Sequence, residues 1–310
     1  MIERRRLPGT DLEVSVLCLG TMTFGTPVGE AEAIRMCHAA MELGINFIDT
    51  ANSYEGYSRV VGSAGGQAES LLGAALAGRR DRIVLATKVG MKIGPLDSDR
   101  GLGRAHIRRE IERSLQRLGT DYVDLYYLHA PDPQTPPAET VEAMHGLARE
   151  GKIRHWGVSN YSAVQLRELL ATCDRGGWLR PVVVQPPYSL LERGIEAELL
   201  PLCDEAGLGV VPYQVLQGGL LTGKYGDGVP VGSRLAEKPQ WLRPLDEGMR
   251  ARLTALEAEA RARGRSLAGH ALCELLARPA IASLIVGARE SRQVAEMVAL
   301  VQADAARGAA

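Results

Sequence analysis

INFIDTANSY (45–54), RIVLATK (82–88) and YVDLYYLH (122–129) are three successive apolar stretches of strand length, and each stops on polar side chains. In a barrel of parallel strands the C-terminal strand ends share one rim, and enzymes of that shape build their sites there. The polar residues at these ends are Asp49, Tyr54, Lys88 and His129. A carboxylate, a phenol, an ammonium and an imidazole converging on one rim make an acid–base group centred on the phenol. Working outward, further apolar runs occur at 16–20, 153–158, 181–185, 208–213 and 281–286, which brings the number of predicted strands to eight.

Segments of helical period lie between the runs, among them EAEAIRMCHAAMELG (30–44), RAHIRREIERSLQRLG (104–119) and PAETVEAMHGLAREG (137–151), and several end on glycine. Eight strands alternating with helices predict an α/β chain folded as a closed (β/α)8 TIM barrel, one domain over 1–310. An open doubly wound sheet would need a phosphate-binding glycine fingerprint after its first strand. The nearest match, Gly101-Leu-Gly103, lacks the third glycine and follows the third strand, so it reads as loop. Residues 2–14 read as an N-terminal β-hairpin turning at Pro8-Gly9-Thr10-Asp11. Two connections, 55–67 and 214–245, are longer than a barrel needs and should lie over the active rim. Helices are expected over 246–263, 266–277 and 290–302, with a frayed tail at 303–310.

The 310 residues carry 36 basic and 37 acidic side chains, a formal charge of −1, and no like-charged run longer than Arg4-Arg5-Arg6. Nucleic acid and anionic membrane surfaces are therefore not the expected partners. Cys18, Cys37, Cys173, Cys203 and Cys273 form no CxxC pair and mostly sit in apolar segments, which reads as buried free thiols. The charged N-terminus lacks the apolar run of a signal peptide, and no stretch is long enough to span a bilayer. A soluble, cytoplasmic protein without a metal site is expected. A homo-oligomer is compatible with the sequence.

The chemistry centres on Tyr54. A free phenol titrates near ~10, too high for efficient proton transfer at neutral pH. The Lys88 ammonium would lower that value, and Asp49 would hold Lys88 charged and oriented. His129 would donate a hydrogen bond to a carbonyl oxygen. Such a site suits reduction of an aldehyde or ketone. A lone Asp or His at a strand end is more often a helix cap or a satisfied hydrogen-bonder. Four compatible types at consecutive strand ends carry the stronger reading.

Longer segments extend the pattern: LCLGTMTFG (17–25), GINFIDTANSY (44–54), LATKVG (85–90), RLGTDYVDLYYLH (117–129), GKIRHWGVSN (151–160), VVQPPYSLLER (183–193), GGLLTGKY (218–225) and SLIVGARESRQVAE (283–296). Together they resemble the aldo-keto reductase superfamily over about residues 5–300, most of all the branch of potassium-channel β subunits and bacterial general oxidoreductases. The resemblance implies that Asp49, Tyr54, Lys88 and His129 are the catalytic tetrad. It also implies a nicotinamide dinucleotide extended across the barrel mouth. Ser159, Asn160 and Gln185 match the carboxamide ligands, and Tyr213 matches the aromatic platform under the nicotinamide ring. Gln214, Leu216, Gly218, Lys224 and Arg234 match the loop that clamps the phosphates. Gly287, Arg289, Gln293 and Glu296 match the adenosine end.

Three positions depart from the family's pattern. Gln214 and Val215 stand where Ser-Pro is usual, and Met297 replaces an adenine-contacting Asn. The implied function is NADPH-dependent reduction of a small carbonyl compound to the alcohol, with Arg234 and Arg289 favouring NADP through its 2′-phosphate. The alternatives are a sugar or polyol dehydrogenase in a biosynthetic pathway, or a nucleotide-sensing regulatory subunit like the channel β subunits. Met22, Tyr57, Trp156, Tyr188 and Trp241 are expected to line the mouth.

Overall fold

Each of the eight apolar runs contributes one strand. The computed structural model describes residues 2–226 and 228–308. An antiparallel hairpin of β1 (Arg4–Arg6) and β2 (Glu13–Ser15) precedes β3 (Leu17–Gly20), β4 (Phe47–Asp49), β5 (Val84–Val89), β6 (Val123–Leu128), β7 (Ile153–Ser159), β8 (Val183–Gln185), β9 (Gly209–Val210) and β10 (Leu284–Gly287). The last eight form one parallel sheet in the order β10-β3-β4-β5-β6-β7-β8-β9. Val210 bridges Ile281, and Ala282 N–H donates to Val210 O at 2.9 Å, which closes the ring. The expected (β/α)8 barrel is thereby formed. The run 208–213 keeps only two ladder residues. Pro212 has no N–H to donate, and beyond it Tyr213 bridges Pro187 instead.

The helices are α1 (Glu30–Glu42), α2 (Gln67–Leu76), α3 (Arg104–Leu118), α4 (Pro137–Arg149), α5 (Ala163–Gly176), α6 (Leu199–Ala206), α7 (Arg234–Glu237), α8 (Glu247–Ala262), α9 (Leu267–Leu276) and α10 (Ser291–Gly308). Local chemistry sets their ends. Ser162 and Gln165 form a reciprocal capping box at the start of α5, and Gly177 ends it in the left-handed conformation at φ 62°. The expected tail is largely helix: α10 runs to Gly308 rather than stopping at 302, and the last two residues lie outside the described ones. None of the described helices is long and apolar enough to cross a membrane.

Side chains alternate across each strand. Those facing out, such as Leu19, Ile48, Leu85 and Tyr126, pack under the helices. Those facing in, such as Cys18, Phe47, Ala86, Leu125, Tyr127 and Val183, fill the barrel, and Leu7, Leu12 and Val14 of the hairpin region plug it. Arg154 and Asp11 pair at 2.6 Å and tie the hairpin to the start of β7. One mouth is therefore sealed, and the site is left to the other rim. All five cysteines are buried free thiols, as the sequence reading expects.

Candidate active site

Asp49 ends β4, Tyr54 follows in the loop after it, Lys88 lies in β5 and His129 follows β6. Lys88 is fully buried, and its ammonium spends three donors on three acceptors. It donates to Asp49 Oδ1 at 2.5 Å, to Thr50 O at 2.8 Å and to Tyr54 Oη at 3.2 Å. The second carboxylate oxygen, Asp49 Oδ2, accepts from Gln185 Nε2 at 2.9 Å. Tyr54 and His129 meet edge to face, with ring centroids 5.8 Å apart. The four residues read from the strand ends are thus brought together.

Burial would discharge Lys88, but Asp49 and the phenol outweigh it, and the ammonium is held above its ordinary value. Burial lifts Asp49, with Lys88 and Gln185 pulling the other way. The phenol departs from expectation. Burial pushes Tyr54 above the ordinary tyrosine value, and the nearby Lys88 lowers it by less than burial raises it. The charge partner was legible in the sequence, whereas the depth of the site was not. Burial, then the charges of Lys88 and Arg59, push His129 well below its ordinary value. At neutral pH it is an uncharged imidazole with one N–H to donate.

Asp49, Tyr54 and His129 open onto a cavity of about 880 Å³, while Lys88 lies beneath it. Ser159, Asn160, Gln185 and Tyr213 line its near part and support one another. Ser159 Oγ donates to Gln185 O at 2.8 Å, Tyr213 Oη to Asn160 Oδ1 at 2.7 Å, and Asn160 Nδ2 to His129 O at 2.8 Å. Gln214, Leu216, Gly218, Lys224 and Arg234 line the middle, and Gly287, Arg289, Gln293 and Glu296 the far end. Every cofactor residue expected from the sequence therefore lines one cavity. Thr21, Thr23, Ser266 and Ala268 share that wall and were not anticipated, since nothing in their local pattern marks them. Met297 and Leu300 add an apolar patch beside the polar residues of the far end.

Backbone strain collects on this rim. Asn160, Gln214 and Gln217 hold φ of 64°, 58° and 47°. For the two glutamines that conformation costs on the order of 1–3 kcal/mol each and persists where the surroundings over-determine it.

The two long loops meet over the far half of the cavity. Tyr57, from the first, accepts at its hydroxyl from Arg234 Nε and from Arg289 Nη2, both at 2.9 Å. Trp241 packs edge-on against its ring at 5.1 Å, and Glu237 pairs with Arg289 at 2.8 Å. Tyr57 therefore braces the loops instead of lining the cavity. Trp156 and Tyr188 are corrected too. Both are 1% exposed in the layer under the helices, where Trp156 Nε1 donates to Leu179 O and Tyr188 Oη to Glu196 Oε1. Trp241 lines an adjoining recess with Pro187 and Gln217, which shares Tyr213 and Gln214 with the main cavity, and of the five expected mouth residues Met22 faces the main cavity itself.

The aldo/keto reductase family pattern matches residues 16–306. The chain belongs to the aldo/keto reductase family. A Bacillus subtilis (strain 168) protein described as uncharacterized oxidoreductase YrpG is 38% identical over 309 residues, covering 97% of this chain and 91% of that protein. Probable voltage-gated potassium channel β subunits of Oryza sativa subsp. japonica and Arabidopsis thaliana are each 36% identical over 304 residues, covering 95% of this chain and 90% of theirs. These relatives match the branch read from the sequence. Membership makes this chain an NAD(P)H-dependent oxidoreductase of carbonyl compounds.

Proposed function

We propose that this aldo/keto reductase uses NADPH to reduce a small aldehyde or ketone, with Tyr54 delivering the proton. The observation that carries the reading is the saturated Lys88 ammonium, which is fixed by Asp49 and Thr50 and gives its third donor to the Tyr54 phenol. The cavity's donors suit an extended dinucleotide: an amide cluster beside the phenol, an aromatic face at Tyr213, and the cations Lys224, Arg234 and Arg289 farther along. A nicotinamide held there would supply the hydride for the carbonyl carbon. As the carbonyl π pair moves onto oxygen, Tyr54 gives its proton to that oxygen. Lys88 stabilises the phenolate left behind, and neutral His129 donates a hydrogen bond to the same oxygen without adding charge. Asp49 keeps Lys88 charged and aimed. Ser159, Asn160 and Gln185 would hold the carboxamide, Gly218 and Lys224 the pyrophosphate, and Gln293 and Glu296 the adenosine. Turnover across a panel of small carbonyl compounds with each coenzyme tests the reading. Tight coenzyme retention without turnover would favour a nucleotide-sensing regulatory subunit; the two plant relatives are described as probable potassium channel β subunits.

Coenzyme choice has its own test. Replacing Arg234 and Arg289 together by Ala is expected to weaken NADPH more than NADH, because each charge-assisted hydrogen bond to the 2′-phosphate contributes about 1.5–3 kcal/mol. Fluorescence titration with both coenzymes measures this. Equal losses would mean that these arginines, already braced on Tyr57, do not read that phosphate.

The loop 214–245 is expected to tighten over bound coenzyme. Its first part is anchored, with Leu220, Leu221 and Tyr225 packing on Leu191, Met249 and Leu253. The contacts of Arg234 and Arg289 with Tyr57 hold the part around α7 through side chains of the protein itself. Trypsin should therefore cut within 224–243 slowly in coenzyme-free protein and more slowly still with NADPH. Cleavage at one rate in both conditions would remove the clamp.

A further inference from the structure

A buried carboxylate lies behind the tetrad, on the helix side of the barrel wall, and the mechanism above does not use it. Glu69, in the first turn of α2, and Thr87, next to Lys88 in β5, are both fully buried. Thr87 is in register with outward-facing Tyr126, so it turns away from the barrel interior into the layer under the helices. There its hydroxyl donates to Glu69 Oε1 at 2.5 Å, and Arg117 of α3 donates from Nε to Glu69 Oε2 at 2.7 Å. Glycine at 66 admits the stem of the arginine, since a Cβ there would lie 2.5 Å from Arg117 Cδ. One carboxylate thus joins α2, α3 and β5. Glu69, Thr87 and Arg117 all lie outside the cavity lining.

A buried ion pair is a poor stabiliser, because apolar residues of the same volume often serve as well or better. The place of this one points to a different role. The loop 55–67 separates Tyr54 from α2, so the chain itself does not fix where the helix starts. Yet the helix start holds Tyr54, for Ala68 N–H donates to Tyr54 O at 3.0 Å. The next residue along, Glu69, grips the neighbour of Lys88. The two partners of the 3.2 Å contact between Lys88 Nζ and Tyr54 Oη are therefore tied to each other through α2. We propose that Glu69 is a positioning residue: by clasping Thr87 it fixes α2 against β5 and so keeps Tyr54 within hydrogen-bond distance of Lys88. This rests on the reading of Tyr54 as the proton donor.

The test removes the Thr87 hydroxyl in Thr87→Val and Thr87→Ala and keeps it in Thr87→Ser. In the first two, kcat for carbonyl reduction is expected to fall about ten- to a hundredfold, the scale of a displacement on the order of 1 Å. Alcohol oxidation, the reverse reaction, needs the phenolate. Its rise with pH should move to higher pH, because the phenol loses part of the pull of Lys88. NADPH affinity should stay at the wild-type value, and Thr87→Ser should keep both the rate and the pH profile. A wild-type rate or an unmoved profile in folded Thr87→Val and Thr87→Ala would overturn the proposal. An equal change in Thr87→Ser would do the same, as would weakened NADPH binding in place of the rate effect. If neither Thr87→Val nor Thr87→Ala folds, the hydroxyl is structural and the proposal falls. Failure of the proton-donor reading would show separately, as wild-type turnover in Tyr54→Phe.

Discussion

Tyr54→Phe is expected to lower kcat for carbonyl reduction at least about a hundredfold, the low end of what a positioned general acid contributes. The substitution keeps the ring and its edge-to-face contact with His129, and it removes the hydroxyl with its transferable proton. Lys88 loses one of its three acceptors but keeps Asp49 and Thr50. No neighbour replaces the lost acid. Lys88 is held protonated above its ordinary value and His129 is uncharged, so neither readily gives up a proton near neutrality. Coenzyme affinity should barely change, which fluorescence titration would show. Near-wild-type turnover would remove Tyr54 from the mechanism.

The barrel was legible because each strand is a short apolar run, and the tetrad because three of those runs stop on residues able to move or hold a proton. Parity along a strand was also available but unused. Gly157 and Tyr127 face inward in register, so Trp156 must face the helices. Other features have no local pattern. Tyr57 meets Arg234 and Arg289 across 177 and 232 residues of chain, and Gln185 meets Asp49 across 136. The positive φ of Gln214 and Gln217 is equally silent in the sequence, since glycine or asparagine would ordinarily mark such positions. The balance of forces on Tyr54 could not be read either. A lysine nearby argues for a lowered phenol, and only the packed structure reveals that burial outweighs it.

That balance shapes the second large effect. Lys88→Met should reduce kcat by about 10²–10³-fold, the range for removing one pre-aimed electrostatic donor. Lys88 is the largest influence pulling the Tyr54 phenol down against burial. Without it, the phenol moves further up and the phenolate formed by proton transfer loses its counter-charge. The two reaction directions should respond differently to pH. Reduction needs the phenol protonated, and with the phenol raised the wild type should hold its rate through neutral pH. Alcohol oxidation needs the phenolate and should rise with pH along a limb set by Tyr54. Lys88→Met is expected to move that limb to higher pH. Asp49→Asn removes a negative charge that itself raises the phenol while Lys88 remains, so it should leave the limb near its wild-type place or move it to lower pH. A thermal melt of each variant separates a folded, slowed enzyme from one that no longer folds. An oxidation profile whose limb stays in place in folded Lys88→Met would mean that this ammonium does not act on Tyr54 during turnover.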